Sequence, residues 1–373
     1  MRISDGGARR RGGGQLTQRL AGLALAAGMA WLPPAVWAAG GHSKSASPDV
    51  TQTRAVVELE IARIASNAGG EVGVAARHLE SGLTLTVNSE TRFPMASTFK
   101  VAVAGAILSQ VDAGQLGLDQ LVTVDPALVL ESEGIAEIFP FPGVALSVHN
   151  LLEGMITRSD NTATNVLTRL AGGPAAVTAW VRKLGVEKLR VDGDTNEIVG
   201  RYLQLPYSDA RDSKSIQEQI KALPPEDVER RNSQGDAQFA DDPRDTTTPA
   251  AMVELLTRIV NGQALSSAST ELLLGTMQRT TTGLKRLRGM LPPRVVVQDK
   301  TGTIGGTVND VGVIELPGHR GRVVIAVYIK KSSKTIDQRE PVVAQIARTV
   351  YDYMLVMAPQ DAAGHDSGHN HGR

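Results

Sequence analysis

The sequence predicts an α/β fold of the α+β sandwich type: an antiparallel sheet built from both chain ends, flanking helices, and an inserted all-helical lobe. Short β-branched segments lie near the two ends, at 72–87 and 295–329, while the stretch from about 118 to 289 carries mostly helical patterning. A sheet closed from both ends joins these pieces without a long structureless loop, which compact domains rarely contain.

The elements follow in order. Over 51–67, apolar Val56, Leu59, Ile61 and Ile64 alternate with charged residues, which predicts a helix ended by Ala68-Gly69-Gly70. Residues 72–79 and 83–87 read as two strands joined by the turn Glu80-Ser81-Gly82. Residues 98–111 form a long apolar segment of helical composition, expected to be buried. Residues 295–298, 308–316 and 322–329 are β-branched and read as strands, the last two linked by Pro317-Gly318-His319-Arg320-Gly321. A closing helix is expected over 340–357. The stretch 200–242 is too polar for a compact core, and within it 213–220 predicts a short surface helix.

The flanks carry different information. Arg9, Arg10 and Arg11 precede an uncharged apolar stretch over 20–37, which ends in Val36-Trp37-Ala38-Ala39, small residues at the spacing a signal peptidase reads. Pro33 and Pro34 interrupt it, as suits a cleaved signal peptide over 1–39 rather than a membrane-spanning helix. The expected product is a periplasmic or secreted protein with a flexible leader over 40–50 and no stable membrane insertion after cleavage. A catalytic domain over 51–358 follows, then a disordered tail over 359–373 whose His365, His369 and His371 would hold a metal ion only loosely. Lys+Arg and Asp+Glu both number 39, so no charge bias points to nucleic acid. The absence of cysteine excludes disulfides, thiol catalysis and Cys-ligated zinc. No His/Asp cluster has ligand spacing, so neither metal nor cofactor is expected, and nothing demands more than a monomer.

Three short motifs carry chemistry. Ser97-Thr98-Phe99-Lys100 heads the apolar 98–111 helix, and a three-residue spacing on a helix sets Lys100 beside the Ser97 hydroxyl. A serine hydroxyl needs a base to take its proton, and burial makes a lysine amine neutral and basic. Ser159-Asp160-Asn161 precedes a helix starting near Thr162. Its serine hydroxyl is suited to relay a proton to a departing nitrogen, and its amide to hold a substrate carbonyl. Lys300-Thr301-Gly302-Thr303 ends the strand 295–298, where Lys300 and the threonine hydroxyls suit a substrate carboxylate and Gly302 admits an extended substrate. Each occurs once, in an order that a cleft shared between sheet and helical lobe requires. A Ser-His-Asp site is disfavoured, because His78, His149 and His319 are the only histidines outside the flanks and none has a Gly-x-Ser-x-Gly-like context.

Over 51–358 the chain resembles class A β-lactamases and their penicillin-binding relatives, which share the S-x-x-K, S-D-N and K-T-G set. The resemblance is strongest at Phe93-Pro94-Met95-Ala96-Ser97-Thr98-Phe99-Lys100, at 155–165 and at Arg244-Asp245-Thr246-Thr247-Thr248-Pro249. It implies that Ser97 is acylated by a β-lactam or a cell-wall peptide, with Lys100 as its base. Ser159 and Lys300 then serve the leaving nitrogen and the substrate carboxylate, and the backbone N–H groups of Ser97 and Thr303 form the oxyanion hole. Arg286 looks like the arginine that many members use to reinforce carboxylate binding; a solvated surface arginine reads equally well.

The resemblance weakens at deacylation. Class A enzymes carry a glutamate on an Ω-shaped loop, with asparagine four residues on, to hold the hydrolytic water. The corresponding count lands near Thr195, in Asp192-Gly193-Asp194-Thr195-Asn196-Glu197. Glu197 comes two positions late, with Arg201 four residues on; Asp192 has Asn196 at the right spacing but a shorter side chain; Glu226 and Glu229 lie in the 200–242 insertion, where the family has a short connection. Glu197 is taken as the candidate. Two alternatives to a β-lactamase stand open: a penicillin-binding relative that acts on peptidoglycan peptides or is trapped as a slow acyl-enzyme, and a non-enzymatic envelope protein using the insertion or tail for binding.

Overall fold

The computed structural model describes residues 50–130, 134–206 and 215–358. The expected signal peptide, the leader up to residue 49 and the His-rich tail lie outside the described residues. Helix α1 (Val50–Ala65) runs through a 3-10 turn to Gly69 and is followed by the hairpin β1 (Glu71–His78) and β2 (Thr84–Val87). Short β3 (Phe93–Pro94) leads to a 3-10 turn over Ala96–Phe99 and then α2 (Lys100–Asp112). The ribbon of β4 (Leu121–Thr123) and β5 (Ala145–Ser147) brackets α3 (Ile135–Ile138). Next come α4 (Val148–Thr157), α5 (Asn161–Leu170), α6 (Pro174–Lys183), α7 (Thr195–Tyr202), α8 (Ile216–Ala222) and α9 (Pro225–Phe239). Then β6 (Thr246–Thr247) pairs back on β3, before α10 (Pro249–Val260) and α11 (Ser267–Gln278). Strands β7 (Val297–Ile304), β8 (Thr307–Glu315) and β9 (Arg322–Lys330) precede the final helix α12 (Ile336–Met357).

The main sheet has the order β2-β1-β9-β8-β7, antiparallel throughout, so the two ends of the chain meet where β1 pairs with β9. Strand alternation explains the layering. In β9, Val323, Ile325, Val327 and Ile329 join the core shared with α1 and α12, while Val324, Ala326 and Tyr328 join the core shared with the helical lobe. Both faces are covered, so β9 is nearly all apolar. Strand β7 is left at the sheet edge, beside the lobe.

Four expectations are adjusted. Strand β7 does not end before Lys300; it carries the whole Lys300–Thr303 motif to Ile304. Helix α2 begins at Lys100, and Ser97 sits on the preceding 3-10 turn, where residues three apart eclipse. Helix α12 starts at Ile336 rather than 340, because Thr335 and Gln338 form a capping box ahead of Pro341. The insertion holds not only the expected short helix, seen as α8, but also the 15-residue α9.

Candidate active site

The turn bearing Ser97 is held from below. Asn309 on β8 donates through Nδ2 to Pro94 O (2.9 Å) and Met95 O (3.0 Å), and Thr98 Oγ1 donates to Met95 O (2.8 Å). Gly302, paired with Asn309 across the sheet, lets β7 press against this turn: a Cβ there would lie 2.6 Å from Met95 O and 3.1 Å from Ser97 N. Only glycine permits that approach. The half-buried Ser97 is thereby set beside the sheet edge.

Lys100 reaches across from α2 to the lobe. Its Nζ donates to Ser159 O (2.6 Å), Ser159 Oγ (3.2 Å) and Asn161 Oδ1 (2.9 Å). From the opposite side, Lys300 Nζ donates to the same Ser159 Oγ (3.0 Å) and to Thr301 O (2.8 Å). Ser159 has φ 57, a left-handed conformation unusual for serine, which two buried amines and the cap that follows hold in place. That cap is Asp160, whose Oδ1 accepts from Ala163 N and Oδ2 from Ile135 N, both at 2.6 Å. Three motifs far apart in sequence therefore meet at one hydroxyl.

Electrostatics follow from burial. Lys100 is fully buried, which pushes its pKa well below 10.5; the nearby Lys300 charge pushes the same way and Asp160 opposes. Burial brings Lys300 down to about 7, against the pull of Asp310 and Asp299, with Arg286 adding to the fall. Asp299 is on β7 itself and Asp310 on the neighbouring β8. Burial raises Asp299 to about 6 despite its Arg288 partner at 2.6 Å, and burial together with the Asp299 charge raises Asp310 well above 3.8.

Arg286 is not a solvated arginine. It is buried, pairs with Glu340 (3.1 Å), donates to Gly302 O (3.1 Å) and Asn309 O (2.9 Å), and reaches Thr303 Oγ1 (2.6 Å). Thr301 Oγ1 lies 2.6 Å from Thr282 Oγ1. The edge of β7 from Lys300 to Thr303 is thus rich in donors and positive charge, suited to an anionic group.

Glu197 is not brought to this cluster. Its Oε2 accepts from Asp194 N (3.0 Å) while Asp194 Oδ1 accepts from Glu197 N, a capping box at the start of α7. It lines an outer depression with Asp192, Asp194 and Arg169. Asp192 pairs with Arg190 and accepts from Asp245 N, and Arg201 pairs with buried Asp245, so these groups close the 190–245 segment on itself. Glu226 and Glu229 stand on α9. Thr195 starts α7: its N–H donates to Asn165 Oδ1 (2.8 Å), one helical turn beyond Asn161, and its buried Oγ1 has no hydrogen-bond partner among the described residues. The capping box was readable from Asp194-Thr195-Asn196-Glu197. Asn309, Asp299 and Asp310 had no sequence signal beyond lying in a strand. Among the described residues no group of three or more His, Cys, Asp or Glu is arranged to hold a metal, and no helix is long and apolar enough to cross a membrane.

Comparison with known proteins agrees with this geometry. A family model described as the β-lactamase enzyme family matches residues 56–354. The extended-spectrum β-lactamase PER-1 of Pseudomonas aeruginosa is 30% identical over 308 residues, covering 80% of this chain and 88% of its own. The β-lactamase AST-1 of Nocardia asteroides is 32% identical over 305 residues, covering 82% and 86%. Among solved structures, a β-lactamase from Chitinophaga pinensis DSM 2588 superposes with a TM-score of 0.65 at 33% identity, over 80% of this chain and 98% of that one. An ancestral class A β-lactamase gives 0.65 at 35%, over 79% and 99%. The chain belongs to the class A β-lactamase family.

Proposed function

We propose that the protein is an exported β-lactamase that opens the lactam ring through an acyl-enzyme on Ser97 and releases the product by hydrolysis. The observation that carries this reading is the convergence of Lys100 and Lys300 on Ser159 Oγ beside the Ser97 turn. Ser97 Oγ attacks the lactam carbonyl carbon and gives its proton to the neutral Lys100 amine. The N–H groups of Ser97 and Thr303 receive the oxyanion; a lost donor in such a hole costs about 3 kcal/mol. As the C–N bond breaks, Ser159 passes its proton to the nitrogen and takes back the proton that Lys100 received, which leaves that amine neutral again. Lys300, Thr301 and Thr303 hold the substrate carboxylate, with Arg286 behind them, and Asn161 holds the acylamino group.

Hydrolysis of the ester then needs a base for water. Asp160 is the acid whose charge acts on Lys100, and its oxygens are occupied by backbone donors. By count from Ser159, the place of the glutamate in the resembling enzymes falls near Thr195, and Glu197 is taken up by its helix cap. We therefore assign the water's proton to Lys100, free again after acylation. A second reading draws on the same Thr195: the protein acylates readily but deacylates slowly, as a penicillin-binding relative does.

Nitrocefin turnover by the purified mature chain, abolished in Ser97→Ala, is the expected result; no turnover by the wild type sinks the β-lactamase reading. Intact-mass measurement after brief penicillin exposure separates the two readings, since a long-lived adduct supports trapping and a rapid return to free mass supports turnover. Export is checked by N-terminal sequencing of the periplasmic fraction, expected to begin near Ala39 or Gly40.

A further inference from the structure

The insertion after α7 does more than decorate the surface, because it is fastened to the strand that carries the substrate-binding motif. Strand β7 turns into β8 through Gly305 and Gly306. Gly306 N donates to Asp236 Oδ1 of α9 at 2.6 Å. Tyr202, at the end of α7, donates to Asn232 O (3.0 Å) and packs edge-on against Phe239, centroids 5.6 Å apart, so α7 and α9 form one unit against this turn. Any Cβ at Gly305 would lie 2.3 Å from Tyr202 Oη and 2.5 Å from Asp236 Oδ1. Arg339 Nη1 secures the turn from the other side by donating to Gly305 O (2.8 Å), and Lys331 pairs with Asp241 (2.7 Å) just past α9.

These contacts place α9 against the end of strand β7. Helix α7 starts at Thr195, bonded to Asn165 one turn beyond Asn161, and ends at Tyr202, against Gly305. It therefore spans from the helix that faces Ser97 to the tip of β7, about 10 Å at 1.5 Å per residue. A substrate whose carboxylate sits at Lys300–Thr301 and whose scissile carbonyl sits at Thr303 N directs its acyl substituent along Ile304 toward Gly305. From Thr303 to Gly305 the strand offers about 7 Å.

We infer that α9, fastened through Asp236 to the Gly305–Gly306 turn, is a specificity-determining wall that admits β-lactams with small acyl substituents and disfavours those with bulky ones. The inference rests on the β-lactamase reading above. Asp236 touches no reacting atom; it positions the turn and so sets the length of the groove.

The test compares kcat/KM for two probes: 6-aminopenicillanic acid, which bears a bare amine, and piperacillin, which bears a bulky acyl group. Asp236→Ala removes the acceptor for Gly306 N–H and frees the turn. The bulky-to-bare ratio is expected to rise about fivefold or more, a size typical of discrimination by pocket dimensions. Asp236→Asn keeps an oxygen at the same place and is expected to leave the ratio within about twofold of wild type. A ratio that is unchanged or lower in Asp236→Ala overturns the wall, as does a parallel loss for both probes. Near-UV circular dichroism and an unchanged rate for 6-aminopenicillanic acid establish that the variant is folded. Should the wild type neither hydrolyse nor be acylated by either probe, the catalytic reading itself fails and the wall with it; turnover with an unaltered ratio removes the wall alone.

Discussion

Lys100 has no role in packing that a hydrocarbon could not fill, yet it is wholly buried and its Nζ meets three oxygens of the Ser159-Asp160-Asn161 motif. A buried lysine is costly unless its neutral form is used, and here that form is the base for Ser97. Replacing it by methionine keeps the stem and removes the base. Lys100→Met is expected to lower the acylation rate, read by stopped-flow mass analysis, about 10²- to 10⁴-fold while the chain remains folded. Near-normal acylation would move the base elsewhere. Thr195 offers the complementary gain of function. A carboxylate at this first position of α7 is favoured by the helix N-terminus and lies next to Asn165, where the buried Oγ1 has no partner. Thr195→Glu is expected to shorten the acyl-enzyme lifetime about tenfold or more. An unchanged lifetime would mean that the side chain at 195 does not reach the hydrolytic water.

At the scale of elements, legibility depended on whether stability is local or borrowed. Strand β9 is buried on both faces, so its apolar run announces it in any context. Helix α9 is the opposite: Pro225–Phe239 has little apolar surface, and its anchors are individual contacts, among them Phe239 on Tyr202, Tyr202 on Asn232 O and Asp236 on Gly306, which no periodicity reveals. The three motifs were legible because each is contiguous. What fixes them in space was not, because Asn309 is one polar residue in a strand whose importance appears only when Gly302 and the Ser97 turn come to rest on it. Glu197 misled for a related reason: a carboxylate in the expected segment has an equally good local use as a helix cap, and the cap won. The Asn309 support is itself testable. Asn309→Ala leaves Pro94 O without its side-chain donor in a dry interior, at about 1–3 kcal/mol. For a domain of this size that lowers Tm by about 2–10 °C. Because the lost bonds hold the nucleophile's turn, kcat/KM is expected to fall at least about tenfold, beyond what destabilisation accounts for at 25 °C. A lowered Tm with unaltered kcat/KM would make Asn309 purely a packing residue.

The whole molecule carries the cost of burying this chemistry, and pH exposes it. Lys300 titrates near 10.5 when unfolded and at about 7 in the fold. Between those values the unfolded chain binds the extra proton, so stability rises with pH across that window and is flat below it. Lys100, also pushed down, contributes with the same sign. Asp310, pushed up, contributes oppositely and at lower pH: its part of the stability falls as pH climbs from 3.8 toward its folded value. The two buried lysines therefore favour higher pH, and the buried acids oppose them at lower pH. Lys300→Met isolates one member, replacing a buried amine by an apolar side chain of similar length. In urea titrations the unfolding free energy of wild type relative to Lys300→Met is expected to increase by about 2–4 kcal/mol between pH 7 and pH 10. A difference that stays level over this range would mean that Lys300 is protonated to the same extent folded and unfolded, and that its amine is better solvated than its burial on β7 implies.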